Sequence, residues 1–168
     1  MMEMTKTEEA LKEAFAGEAQ ANRKYTSFAL QAEKEGFSQA ARLFRAAAEA
    51  EAVHAGNHLR ALQAIKGTRE NLREAIAGET HEFKEMYPEM IESARAEGAK
   101  AAEKSLSYAN AVERYHAQLY HNMLEGLDTI KEDYPYYVCP VCGMTVEKEP
   151  PEKCPVCGVK GSMFRRIE

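Results

Sequence analysis

Residues 14–25, AFAGEAQANRKY, return further along the chain as AIAGETHEFKEMY at 75–87, one residue longer. Both copies continue through a glycine, Gly36 and Gly98, to a Glu-x-x-His pair at 51–54 and 113–116. The offset is 61 at Gly17/Gly78 and Glu18/Glu79, and 62 from Tyr25/Tyr87 onward. A chain that spells one helical pair twice is constrained to two superposable halves. With short joints, this means an antiparallel four-helix bundle with an approximate two-fold axis.

Helix punctuation agrees with the repeat. Before residue 130 the only proline is Pro88. Thr5 and Glu8 read as a capping box, opening a helix that runs to Gly36. Ser38 reads as the cap of a second helix ending near Gly67, Thr68 opens a third that carries Pro88 to Gly98, and a fourth runs from about Ala99 to Glu132. Each spans roughly 40–50 Å at 1.5 Å per residue. The residue inserted between Glu79 and Tyr87 has to be absorbed, by a π-bulge or by a kink that Pro88 assists.

Charge narrows the function classes. Lys and Arg total 22 against 27 acidic residues, a net charge of −5, which excludes a broad basic footprint and argues against nucleic-acid binding. The N-terminus becomes charged too soon for a signal peptide, and no apolar run approaches a membrane span. A cytoplasmic protein is expected, in which cysteine pairs serve metals more often than disulfides.

Glu51 and His54 project from one helix face, as do Glu113 and His116. One such pair is ordinary on a solvated helix. Two at equivalent places in a repeat, among small and apolar neighbours, point to a core. Glu18, Glu51, Glu79 and Glu113 would then gather four negative charges, so either several stay protonated or cations sit between them. Two divalent ions supply the opposite charge, and His54 and His116 add neutral nitrogen ligands. One Glu from each of helices one and three and one Glu-x-x-His from each of helices two and four is the donor set of di-iron and di-manganese bundles. Glu82, three after Glu79, either adds a fifth carboxylate to one metal only or faces solvent. Tyr25 lies seven after Glu18 and Tyr87 eight after Glu79; each is either a core tyrosine or a donor to a carboxylate. His58, His81 and His121 have no repeat partner and read as surface or supporting residues.

After residue 133 the composition resets. Four of the six prolines and all four cysteines fall in CPVCGMTVEKEPPEKCPVCG. Cys139/Cys142 and Cys154/Cys157 form two C-P-V-C-G knuckles separated by 11 residues, a tetrahedral thiolate set. Spacing does not choose between a structural zinc ribbon and a one-electron iron centre. The chain divides on this reading into a helical domain at 1–133 and a small module with little helix at 134–168.

Gly17-Glu18, Glu51-x-x-His54, Gly78-Glu79-x-x-Glu82, Met86-Tyr87-Pro88, Glu113-x-x-His116 and the two knuckles, in that order, resemble the rubrerythrins over nearly the whole chain. The resemblance implies a mainly α, ferritin-like four-helix bundle with a non-haem di-iron site, followed by a rubredoxin-like Fe(Cys)4 module. It implies Glu18, Glu51, His54, Glu79, Glu82, Glu113 and His116 as di-iron ligands, with Glu113 and one further carboxylate bridging. Cys139, Cys142, Cys154 and Cys157 would hold the single iron. Glu82 and His54 would exchange at one iron on reduction, and Tyr25 and Tyr87 would hydrogen-bond the ligand shell. The implied activity is reduction of hydrogen peroxide to water in oxidative-stress defence. Electrons would come from a reductase or small redox protein through the Fe(Cys)4 centre, in a homodimer or larger homo-oligomer. Two alternatives stand beside it: a ferritin-like ferroxidase that handles iron, and a non-redox zinc-ribbon protein.

Overall fold

The computed structural model describes residues 5–168. Helix α1, Lys6–Lys34, opens with the expected capping box: Glu8 N–H donates to Thr5 Oγ1 at 3.2 Å and Thr5 N–H to Glu8 Oε2 at 2.8 Å. It closes in a Schellman turn, in which Gly36 N–H reaches Glu33 O (3.1 Å) and Phe37 N–H reaches Ala32 O (2.8 Å). Gly36 takes φ +85°, a conformation that favours glycine. The second half repeats the device, with Gly98 at φ +69° and Ala99 N–H bonded to Ala94 O at 2.9 Å.

Helix α2, Ser38–Ala61, starts and stops differently from the sequence reading. Ser38 is its first helical residue and Phe37 holds the capping position without a side-chain bond, because the Schellman turn feeds the chain straight back into helix. The helix ends well before Gly67 in another Schellman turn, built on Gln63 at φ +52° with Ala64 N–H bonded to Leu59 O. Gly67 instead precedes α3, Thr68–His81, where its N–H donates to Glu70 Oε2. α1 and α2 pack as a helical hairpin, and Asn22 Nδ2 donates across it to Ala48 O at 2.7 Å. This hairpin, up to Lys66, is one compact unit of the chain; the second begins at Gly67.

In the second unit α3 passes into a π-helical turn, Glu82–Met86, and then α4, Tyr87–Ala96. The i to i+5 bond from Tyr87 N–H to Glu82 O marks the π turn, and Pro88 follows it in the first turn of α4. α5, Lys100–Gly126, packs on both. It stops short of Glu132: Thr129 and Ile130 N–H both fold back to Gly126 O, and Asp128 pairs with Arg69 of α3.

The cysteine segment follows as a small antiparallel sheet of β1 (Tyr136–Val138), β2 (Thr145–Glu147) and β3 (Arg165–Ile167), in the order β2-β1-β3. Its core of Cys139, Met144, Cys154 and Phe164 also takes in Val112 of α5, which is only 2% exposed. The sheet is therefore pinned to α5 within this unit.

Gly161 is required by close approach. A Cβ there would lie 1.8 Å from Pro151 O, a backbone atom that cannot yield cheaply. Gly161→Ala is expected to cost about 2 kcal/mol or more. The check is chemical denaturation followed through the tyrosines of the sheet; an unchanged midpoint contradicts this packing.

Candidate functional site

Two histidine–carboxylate clusters arise from the repeat, one in each unit. In the hairpin, Glu18 of α1 meets Glu51 and His54 of α2; His54 Nδ1 lies 2.9 Å from Glu51 Oε2 and 3.9 Å from Glu18 Oε1. In the second unit, Glu79 of α3 meets Glu113 and His116 of α5; His116 Nδ1 lies 2.7 Å from Glu113 Oε2 and 3.7 Å from Glu79 Oε1. In both, the ligand atoms all fall within 4.8 Å of one another. The same ring nitrogen faces equivalent oxygens at nearly equal distances, so the repeat is geometric as well as textual.

The second cluster is the more enclosed. Burial, followed by the neighbouring Glu113 carboxylate, pushes the Glu79 carboxyl up to about 7. Burial likewise raises Glu113, and Glu82 adds to it. Glu82 opens the π turn; its charge acts on Glu79 and Glu113, but it lies outside the tight trio. The turn has a phase consequence. On a regular helix an eighth residue sits about 80° round from the first, whereas a seventh falls within about 20°. Absorbing one residue returns Tyr87 to the face that Tyr25 holds relative to Glu18. Tyr87 accordingly has its phenol raised by burial and then by Glu113, Glu82 and Glu79. Tyr25 packs in an aromatic group, its ring 6.2 Å from Phe28 and 6.3 Å from Phe44. Tyr120 of α5, which no repeat or spacing marked, also has its phenol raised by burial and then by Glu79 and Glu113. His81 and His121 pair with Glu85 and Glu125 on exposed helix faces and belong to neither cluster.

The four cysteines form the third cluster, and all are free thiols. Cys139 Sγ and Cys157 Sγ lie 3.6 Å apart, and Cys142 Sγ and Cys154 Sγ 3.5 Å apart. A tetrahedron with 2.3 Å metal–sulfur bonds has edges of about 3.8 Å, so the set is close to ligating geometry. The knuckles are near copies: Gly143 at φ +84° donates to Cys139 O, and Gly158 at φ +77° to Cys154 O. Burial opposes the Cys154 thiolate, but backbone N–H groups of Cys157 and Val156 outweigh it and bring the thiol down to about 7. Burial pushes Cys142 up. The donors fit their implied guests: paired carboxylates with imidazole for divalent iron, four thiolates for a single iron or zinc.

The Rubrerythrin family pattern matches residues 9–124, and the rubredoxin-like domain pattern of rubrerythrins matches 137–165. The chain belongs to the rubrerythrin family. Rubrerythrin-2 of Clostridium acetobutylicum is 36% identical over 95% of each chain. Nigerythrin of Nitratidesulfovibrio vulgaris is 35% identical over 88% of this chain and 79% of its own. The structure of nigerythrin in its fully reduced, all-ferrous state matches with a TM-score of 0.60 at 32% identity, covering 99% of this chain and 89% of that one. Its mixed-valence state matches at 0.58, covering 99% and 88%. The fold class is thus ferritin-like and mainly helical, followed by a small four-cysteine module, as rubrerythrin sequences lead one to expect. No helix among the described residues is long and apolar enough to cross a membrane.

Glu79 makes stability depend on pH. Its folded pKa of about 7 exceeds the unfolded value of 4.5, so between those values only the folded chain holds the proton. With metals removed by a chelator, the melting temperature is expected to fall as pH rises through that window, and Glu79→Gln is expected to flatten the fall. A metal-free protein whose Glu79-dependent stability rises across the same window contradicts the assignment.

Proposed function

We propose that the chain is a non-haem di-iron peroxidase, reducing hydrogen peroxide to water in oxidative-stress defence. Glu18, Glu51 and His54 with Glu79, Glu113 and His116 would hold the iron pair, and Glu82 would join as the asymmetric fifth carboxylate. The four cysteines would hold a mononuclear iron. The observation that carries this reading is the duplicated Glu–Glu–His cluster, with matching Nδ1 distances in both halves. Descent shared with an all-ferrous nigerythrin supports iron as the metal.

An iron pair held by Glu18, Glu51, His54, Glu79, Glu113 and His116 would supply the two electrons that reduction of peroxide requires, and an iron held by Cys139, Cys142, Cys154 and Cys157 would supply one-electron transfer. The chain contributes the remainder. Carboxylates balance the cationic charge, and Glu82 on its π turn stands close enough to act on Glu79 and Glu113 without belonging to the trio. Tyr87 and Tyr120 keep their phenolic protons beside the carboxylates and can donate hydrogen bonds there. A reductase or small redox protein would feed the cysteine centre. The protein would act as a homodimer or higher homo-oligomer in the cytoplasm, where the thiols stay reduced.

The test is to load the protein with iron anaerobically, reduce it, and mix it with peroxide or with oxygen plus free ferrous ion while following the visible spectrum. Fast reoxidation of both centres by peroxide is expected. Faster turnover of oxygen and ferrous ion would mean a ferroxidase, and a colourless zinc-filled cysteine site would mean a ribbon. Glu82→Ala is expected to slow peroxide turnover by at least about tenfold with the helices intact. An unchanged rate removes Glu82 from the site.

A further inference from the structure

The imidazole of His116 has two faces with different neighbours. Nδ1 points at Glu113 and Glu79, while Nε2 lies 3.0 Å from Thr145 Oγ1 on β2. Thr145 has one hydroxyl proton, and it goes to Gly143 O at 3.1 Å. Its oxygen must then accept from His116, so Nε2 carries a hydrogen and Nδ1 is left to the carboxylate side. The contact is built into the fold. Val112, one turn before His116 on the same face of α5, is the residue buried in the core of the cysteine module. A cleft of about 340 Å³ borders the bond, lined by Leu72, Leu119, Tyr120, Met123 and Tyr136. Gly143 follows Cys142 directly, and its own N–H is committed to Cys139 O.

We propose that Thr145 is a positioning residue: its hydroxyl, oriented by the first cysteine knuckle, fixes His116 as the Nε2–H tautomer and aims the Nδ1 lone pair at the metal held with Glu79 and Glu113. The folded cysteine module thereby sets the ligand geometry of the helical site. A ligating histidine commonly donates its other N–H to such a partner, and losing the partner costs about 10–100-fold in metal affinity. The inference rests on His116 being a ligand, as proposed above, and on nothing about peroxide.

The test uses full-length protein loaded with zinc, which needs no redox chemistry. Nitrogen-15 spectra of the imidazoles, with His116 assigned by its loss in His116→Gln, should show a slowly exchanging Nε2–H and a metal-bound Nδ1. Thr145→Val keeps the shape and suits a strand. It should weaken the zinc binding that His116→Gln abolishes by about 10–100-fold in a chelator competition, and should expose the Nε2–H to exchange. Thr145→Ser should restore both. Binding through Nε2, equal zinc affinity in Thr145→Val, or no zinc binding that depends on His116 would each overturn the proposal. The wild-type spectrum decides the tautomer even if Thr145→Val does not fold. Loss of peroxide turnover with normal zinc spectra would sink the peroxidase reading and leave this one standing.

Discussion

Two carboxylates that cannot both be charged without a cation organise this protein. Glu79 and Glu113 come together on neighbouring helices with side chains 20% and 15% exposed. At such separations like charges repel by about 4 kcal/mol even in an effective dielectric of 20. Burial first, and this repulsion second, raise the Glu79 carboxyl. No ion pair to Lys or Arg relieves either residue among the described contacts; the neighbour supplied is a histidine. On the proposed reading the site receives positive charge there, and the His116 imidazole, the π turn and the phenols of Tyr87 and Tyr120 surround that point.

Much of this was legible because it repeats. A lone Glu-x-x-His would have carried little, but Glu51/His54 and Glu113/His116 came with matching glycines, and those glycines proved to make matching Schellman turns at Gly36 and Gly98. The one-residue difference between Glu18–Tyr25 and Glu79–Tyr87 was legible too, since a helix must absorb an insertion somewhere, and the π turn at Glu82–Met86 is where it does. The knuckles announced themselves by spacing alone.

What escaped was set by contacts between elements. Ser38 looked like a cap because serine prefers that position, yet the turn geometry at Gly36 decided the helix start. The end of α2 at Gln63 carried no glycine signal, since a glutamine bears the left-handed conformation there. Tyr120, Val112 and Thr145 are unremarkable in sequence. They meet only because α5 carries Glu113 and His116, packs on α3 with Glu79, and places Val112 in the core of the cysteine module. The apparent boundary near residue 133 separates helix from sheet, while Val112 ties the sheet back to α5.

The central claim is that the duplicated Glu–Glu–His clusters hold an iron pair beside a separate thiolate iron. Mössbauer spectroscopy of the oxidised, iron-57-loaded protein tests it most directly. The account predicts three irons per chain: one high-spin ferric tetrathiolate signal and a diamagnetic signal of twice its area from a coupled ferric pair. A tetrathiolate signal alone, or carboxylate irons that remain magnetically independent, would contradict it.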